Sequence, residues 1–188
     1  CAIDRWGNAF SATPSDGNTE APVIPGTGFV ASGRGSQSRA DPKHPSSVAP
    51  GKRPRLTPNP ALAVFDDGSV MPFGTPGGDV QTQAMLQCLL NVALFGMDMQ
   101  SAVEAPRFSS YSFPSSFAPN DYQPGVLRIE SRVAPETGEA LARAGHIVEW
   151  WPDYTWEAGS ICMIRHDARS GVKFGAADPR RSAYAVGW

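Results

Sequence analysis

Two adjacent glycines, Gly77 and Gly78, stand in the run Thr75-Pro-Gly-Gly-Asp79, directly ahead of an apolar stretch at residues 80–95. That stretch has the length and content of a buried helix (Met85, Leu86, Leu89, Leu90, Val92, Leu94, Phe95) and ends at Gly96. Glycines let the backbone approach a ligand closely, and a helix N-terminus presents unpaired N–H groups toward negative charge. Such donors can stabilise the oxyanion of a tetrahedral acyl intermediate, an effect worth about 3 kcal/mol per donor in well-studied enzymes. Pro-Gly-Gly is also ordinary turn chemistry, and taken alone this run reads more readily as a tight strand-to-helix turn.

Other candidate chemistry is weaker. Arg34, Arg39, Lys43, Lys52, Arg53 and Arg55 face only Asp41 within residues 34–55. In a protein of net charge -2, a local basic loop serves internal structure or a carboxylate site more often than nucleic acid, and no aromatic platform accompanies it. Gly26-Thr-Gly28 lacks the strand and helix that a dinucleotide fingerprint needs, and Pro50-Gly-Lys-Arg53 lacks both the first glycine and the Ser or Thr of a phosphate loop. His44, His146 and His166 are scattered, and no Cys or His pair has zinc spacing, so neither a metal site nor a cofactor is expected. Cys1, Cys88 and Cys162 are odd in number and far apart, which argues against a disulfide framework.

The elements that must position these residues follow from pattern. A turn cluster, Asp4-Arg-Trp-Gly-Asn8, separates two β-compatible runs and predicts an opening hairpin. Residues 14–60 read as a long loop rich in Gly, Pro and Ser, of the kind that carries function in compact domains. Residues 61–65 and 69–74 form a second hairpin around Asp67-Gly68. Ser101-Ala-Val-Glu104 has a capping-box pattern, residues 126–132 alternate like a strand, and residues 135–144 read as a helix with Pro at its first position. Strands at 147–151, 161–165 and 172–174 complete an α+β layered fold with a largely antiparallel sheet. A chain of 188 residues fits one domain and can bury roughly 70% of its unfolded surface. The apolar run at 84–97 is too short for a membrane span and is interrupted by Gln87 and Asn91. The opening residues read as a strand without an initiator Met, as in a processed or truncated chain. Nothing here fixes a compartment.

Read in order, Asp4-Arg-Trp-Gly-Asn-Ala-Phe-Ser-Ala-Thr13, Pro50-Gly-Lys-Arg-Pro54, Thr75-Pro-Gly-Gly78, Ala105-Pro-Arg-Phe108, Gly159-Ser160 and Gly175-Ala-Ala-Asp-Pro-Arg180 resemble the small subunit of gamma-glutamyltransferases across almost the whole chain. The resemblance implies an N-terminal-nucleophile hydrolase, an αββα four-layer sandwich of which residues 1–188 are the single-domain small-subunit half. It implies a precursor that cleaves itself, a large N-terminal subunit as partner, a small-molecule amide as substrate, and a new N-terminal hydroxyl that attacks the amide while its own α-amine acts as base. An acyl-enzyme is then hydrolysed or passed to an amine acceptor.

Carried over residue by residue, Gly77 and Gly78 match the oxyanion-hole glycines, which reverses the preference for a mere turn. Ser15 matches a hydroxyl residue that supports the nucleophile's amine. Leu56 and Thr57 fall where the family has paired serines for the substrate α-carboxylate, so only the Thr57 hydroxyl survives. The family's glutamyl-holding Asn falls at Gly17, and its amine-gripping acidic stretch is replaced around residues 36–41, where Asp41 is the candidate substitute beside Arg39 and Lys43. These departures point away from a free α-ammonium and toward an acyl group with a carboxylate but no amine, such as a dicarboxylic monoamide. Registered on Asp4 and Gly7-Asn8, the family's nucleophile lies about four residues before Cys1, a displacement of more than about 10 Å at strand rise; Cys1 is then a strand cysteine, with Cys1 as nucleophile the lesser alternative. A further alternative is an inactive member that keeps the fold as a structural or ligand-binding subunit.

Overall fold

The computed structural model describes residues 1–14 and 21–188. Its opening hairpin pairs β1 (Ala2–Ile3) antiparallel with β2 (Ala9–Phe10). The Asp4 carboxylate sets the turn by accepting from the amides of Trp6 and Asn8, both at 2.9 Å. The second hairpin joins β3 (Ala61–Val64) to β4 (Val70–Gly74). There Gly68 takes a positive φ of 83°, and the Asp67 carboxylate accepts from the Ser69 amide. A short 3-10 turn, Gly78–Val80, feeds α1 (Gln81–Ala93).

The capping-box expectation is corrected. Helix α2 runs Met99–Glu104, and its cap is Asp98, which accepts from the Ser101 amide; Ser101 is already inside the helix. Strand β5 (Phe108–Ser110) is added to the expected set; then come β6 (Val126–Glu130), α3 (Pro135–Arg143), β7 (Ile147–Trp151), β8 (Cys162–His166) and β9 (Lys173–Ala177). The main sheet is antiparallel with order β3-β4-β8-β9, and a second sheet has order β5-β6-β7. In the latter, β6 and β7 are parallel, because α3 carries the chain across the sheet between them.

The core lies between the main sheet and helices α1 and α2. Met71 and Phe73 of β4 and Ile161 and Met163 at β8 meet Ala84, Met85, Cys88 and Val92 of α1 and Val103 of α2. Burial pushes the Cys88 thiol up to about 12. Two glutamines one helical turn apart fasten α1 to β5: Gln83 bonds the amide and carbonyl of Ser110, and Gln87 bonds those of Phe108.

A buried ion network ties the later elements together. The Arg180 guanidinium forks onto Glu130, Nε to Oε1 at 2.8 Å and Nη2 to Oε2 at 2.6 Å, and its Nη1 reaches Asp178 at 3.1 Å. Arg107 donates to Asp178 and to the carbonyls of Ala158 and Val103. The side chains of Arg180, Asp178 and Glu130 are fully buried, and that of Arg107 almost so. Asp178 also accepts from the Ile161 amide at 3.0 Å, so the network fixes the backbone on both sides of Gly159-Ser160.

Asp178→Ala leaves two buried guanidinium groups short of an anion. A destabilisation of about 3–5 kcal/mol is expected in denaturant unfolding. Cys88 is expected to resist iodoacetamide at pH 8 in the folded protein and to be labelled only after denaturation, since the thiolate is the reactive form; mass spectrometry of the alkylated peptides reads this directly.

Candidate active site

One cavity of about 350 Å³ gathers the residues of interest. Cys1, Thr13, Arg34, Thr57, Gly77, Gly78, Gln81 and Ser160 are among its walls. The end of β4 delivers the turn: Gly74 pairs with Cys162 of β8, and the chain then bends through Thr75 and Pro76. Thr75 is buried, and its hydroxyl accepts from the Ser160 amide at 2.7 Å. Gly77 has φ 136° and Gly78 φ 58°, backbone conformations that L side chains rarely adopt. Space is short as well, since a Cβ on Gly159 would stand 2.8 Å from the Thr75 hydroxyl and one on Gly78 would stand 3.3 Å from the Phe117 ring. Asp79 secures the segment bearing Phe117 by accepting from the Ser116 amide at 2.7 Å and from the Ser116 hydroxyl.

The amides of Gly77 and Gly78 converge on a single oxygen. With its carboxamide turned to satisfy its neighbours, Gln81 places its Oε1 3.3 Å from the Gly77 nitrogen and 3.2 Å from that of Gly78, and its Nε2 donates to the Thr57 carbonyl. Two backbone N–H groups aimed at one carbonyl oxygen is the geometry an oxyanion hole requires, though somewhat longer than the roughly 2.7–3.1 Å of a tight one. Gln81 is buried, and the Asn59 carboxamide lies 2.8 Å from it. The Asn59 backbone amide in turn donates to the Thr13 hydroxyl at 2.8 Å, which links the opening hairpin to the glycine turn.

At the other wall, Arg34 lies in the 3-10 turn Gly33–Gln37 with its amide bonded to the Ser32 hydroxyl. Its side chain is buried, with Nη1 3.4 Å from the Thr57 hydroxyl and the guanidinium 5.8 Å from the centre of the Phe117 ring. Cys1 is exposed; its thiol lies 3.3 Å from the Cys162 carbonyl and 3.8 Å from the Ser11 hydroxyl. Burial raises the thiol of Cys162 above its ordinary range.

The structure therefore brings Gly77, Gly78 and Thr57 to one cavity. Leu56 is exposed and is not among the lining residues, and Asp41 is exposed with its carboxylate accepting from the Lys43 amide. Ser15 and Gly17 lie outside the described residues. Gln81 was not anticipated: it reads as the first polar position of an apolar helix, and only the fold back from Thr57 to the turn reveals its partner. Arg34 was visible only as one cation of a basic run. Among the described residues no His, Cys, Asp and Glu cluster could hold a metal, and no helix is long and apolar enough to cross a membrane.

Comparison with known proteins identifies the family. The family model for gamma-glutamyltranspeptidase matches residues 1–188. The oxamate amidohydrolase proenzyme of Klebsiella pneumoniae is 34% identical over 167 residues, covering 88% of this chain and 30% of that protein. The solved structure of LmbA2991HD superposes with a TM-score of 0.88 at 41% identity, over 95% of this chain and 31% of that one. A gamma-glutamyltranspeptidase chain from Helicobacter pylori superposes with a TM-score of 0.77 at 26% identity, over 96% of this chain and 97% of that one. The chain thus spans about 30% of the length of the Klebsiella relative. With its four-stranded and three-stranded sheets, few helices and these neighbours, the fold is that of the N-terminal-nucleophile hydrolases, and the chain belongs to the gamma-glutamyltranspeptidase family.

Proposed function

We propose that residues 1–188 form the single-domain small subunit of an autoprocessed amidohydrolase or acyltransferase that works through an acyl-enzyme. The observation that carries this reading is the convergence of the Gly77 and Gly78 amides on one oxygen, in a cavity shared with Cys1 at the opening hairpin. In the reaction proposed, a terminal hydroxyl attacks the substrate carbonyl and gives its proton to the adjacent α-amine. The oxyanion settles on the two amides in place of the Gln81 oxygen. The C–N bond then breaks, the amine leaves with that proton, and water or an amine acceptor releases the acyl group.

The direction of the strands supports a nucleophile before Cys1. The Ser11 hydroxyl donates to the Phe73 carbonyl, and a Cβ on Gly74 would meet Thr13, so β2 advances toward the glycine turn as residue number rises. The antiparallel β1 therefore advances toward that turn as residue number falls. A residue about four positions before Cys1 lies some 13 Å further toward the donors at strand rise.

A large partner subunit from the same precursor is supported by the share of relatives that this chain spans, and by apolar surface left bare. Leu86, Leu90 and Leu94 form an exposed stripe at helical spacing, and Leu62 and Val64 project from the outer face of β3. The matching Helicobacter chain has about the same extent as this one, as a separate small subunit would. The departures at Leu56, Gly17 and Asp41 favour an acyl group with a carboxylate and no amine, and oxamate, named for the Klebsiella relative, is such a monoamide. An inactive structural role draws no support from relatives known as amidohydrolase, glutathione hydrolase and acylase proenzymes.

Intact-mass analysis of the expressed precursor is expected to show two chains, cut about four residues before Cys1, with ammonia released from oxamate. A precursor that stays whole and turns over neither oxamate nor a gamma-glutamyl anilide refutes the reading. Gln81→Glu, which seats a carboxylate on both amides, is expected to lower kcat by about 100-fold or more while circular dichroism stays unchanged.

A further inference from the structure

We infer that Phe117 is a specificity-determining residue of this cavity. Its ring backs the scissile amide on the face opposite the nucleophile, and it restricts turnover to acyl groups unbranched at the carbon next to the scissile carbonyl. The inference rests on the acyl-transfer reading of the same cavity.

The ring stands directly on the glycine pair. Phe117 lines the cavity, and a Cβ on Gly78 would meet the ring at 3.3 Å. Ordinary carbon contacts lie at about 3.5–4.0 Å, so no methyl group fits between ring and glycine. A Cβ on Gly77 would instead meet the Gly159 backbone at 3.5 Å. Gly159 and Ser160 lead toward β8, where the Cys1 thiol lies 3.3 Å from the Cys162 carbonyl. The pair is therefore packed toward β8 and the opening hairpin through Gly77, and toward the ring through Gly78. A nucleophile delivered by the hairpin leaves the other face of a bound amide to Phe117.

The ring is also held from both sides. Asp79, the residue after Gly78, accepts from the Ser116 amide at 2.7 Å and from the Ser116 hydroxyl, so the chain that presents the second amide also clasps the segment bearing the ring. Beyond the ring, the Ala118 amide donates to the Ser36 carbonyl at 3.0 Å. The Asn120 carboxamide donates to the carbonyls of Ser115 and Phe117, at 2.9 and 3.1 Å. A side chain bracketed in this way keeps its place and discriminates by shape. An amide is planar and lies flat against such a wall. A second carbon substituent beside the carbonyl projects from that plane, toward the ring on one face or across the path of the nucleophile on the other.

The test uses the matured full-length protein and two pairs of anilides, glutaryl and gamma-glutamyl, each with its analogue methylated on the carbon beside the scissile carbonyl. Within a pair the remote groups are identical, so the ratio of kcat/KM isolates the wall. Wild type is expected to favour the unmethylated member roughly 10- to 100-fold in whichever pair it turns over. Phe117→Ala is expected to bring that ratio toward unity, and Phe117→Leu, which keeps an apolar packing partner and folds more readily, to move it in the same direction. Ser116→Ala removes one bond of the clasp and leaves the ring in place, and is expected to lower the ratio in part. A wild-type ratio near unity, or a ratio that Phe117→Leu leaves unchanged, overturns the assignment and leaves the acyl-transfer reading standing. Turnover of neither pair by wild type also overturns the assignment, and oxamate, tested alongside, then tells whether the acyl-transfer reading falls with it.

Discussion

The site depends on a buried exchange of charge that lies behind it. Asp178 holds Arg107 and Arg180 and accepts from the Ile161 amide, while Arg107 reaches the Ala158 carbonyl. These bonds pin the backbone on either side of Gly159 and Ser160, and that segment presses on Thr75 and Gly77. Burying four charged groups is costly, and such networks persist where each charge has its partners. Here the bidentate Arg180–Glu130 pair and the shared Asp178 satisfy that condition, and the return is a rigid back wall for a turn that must hold two amides at one point.

From that wall forward, each contact hands position to the next. Ser160 fixes Thr75, the two glycines adopt conformations closed to other residues, and Gln81 joins them to Thr57 and Asn59. Thr13 secures Asn59, so the opening hairpin, the long loop and the helix N-terminus meet at one glutamine. In the acyl-transfer reading proposed above, the same side chain stands where a substrate carbonyl oxygen would sit. On that reading the two amides are held by a neutral acceptor of similar shape, and a ligand would exchange one carbonyl for another instead of stripping water from bare donors.

Much of this was legible in residue types. Asp4 to Asn8 and Asp67-Gly68 fixed both hairpins because turn chemistry is local, and the Pro135 start and Gly145 stop framed α3. Gly77 and Gly78 were found because their φ values admit few other residues. What escaped has no local signature. Strand β5 is three residues long, and glutamine side chains on α1 bond the backbone groups of both Phe108 and Ser110, so no alternation marks it. Ser101 looked like a cap, but Asp98 captured the role because its carboxylate reaches the Ser101 amide. Arg34 and Gln81 meet at Thr57, 23 and 24 positions away from them in the chain, a separation that no local pattern reveals.

The glutamine fastening of β5 also governs how this chain meets others. A strand on a sheet rim normally exposes a row of unpaired amides and carbonyls, an invitation to another chain. Gln83 and Gln87 claim the outward-facing groups of Phe108 and Ser110, so that rim of the three-stranded sheet is sealed against strand addition. Growth of that sheet by a foreign or neighbouring strand is thereby directed to β7 at the opposite rim.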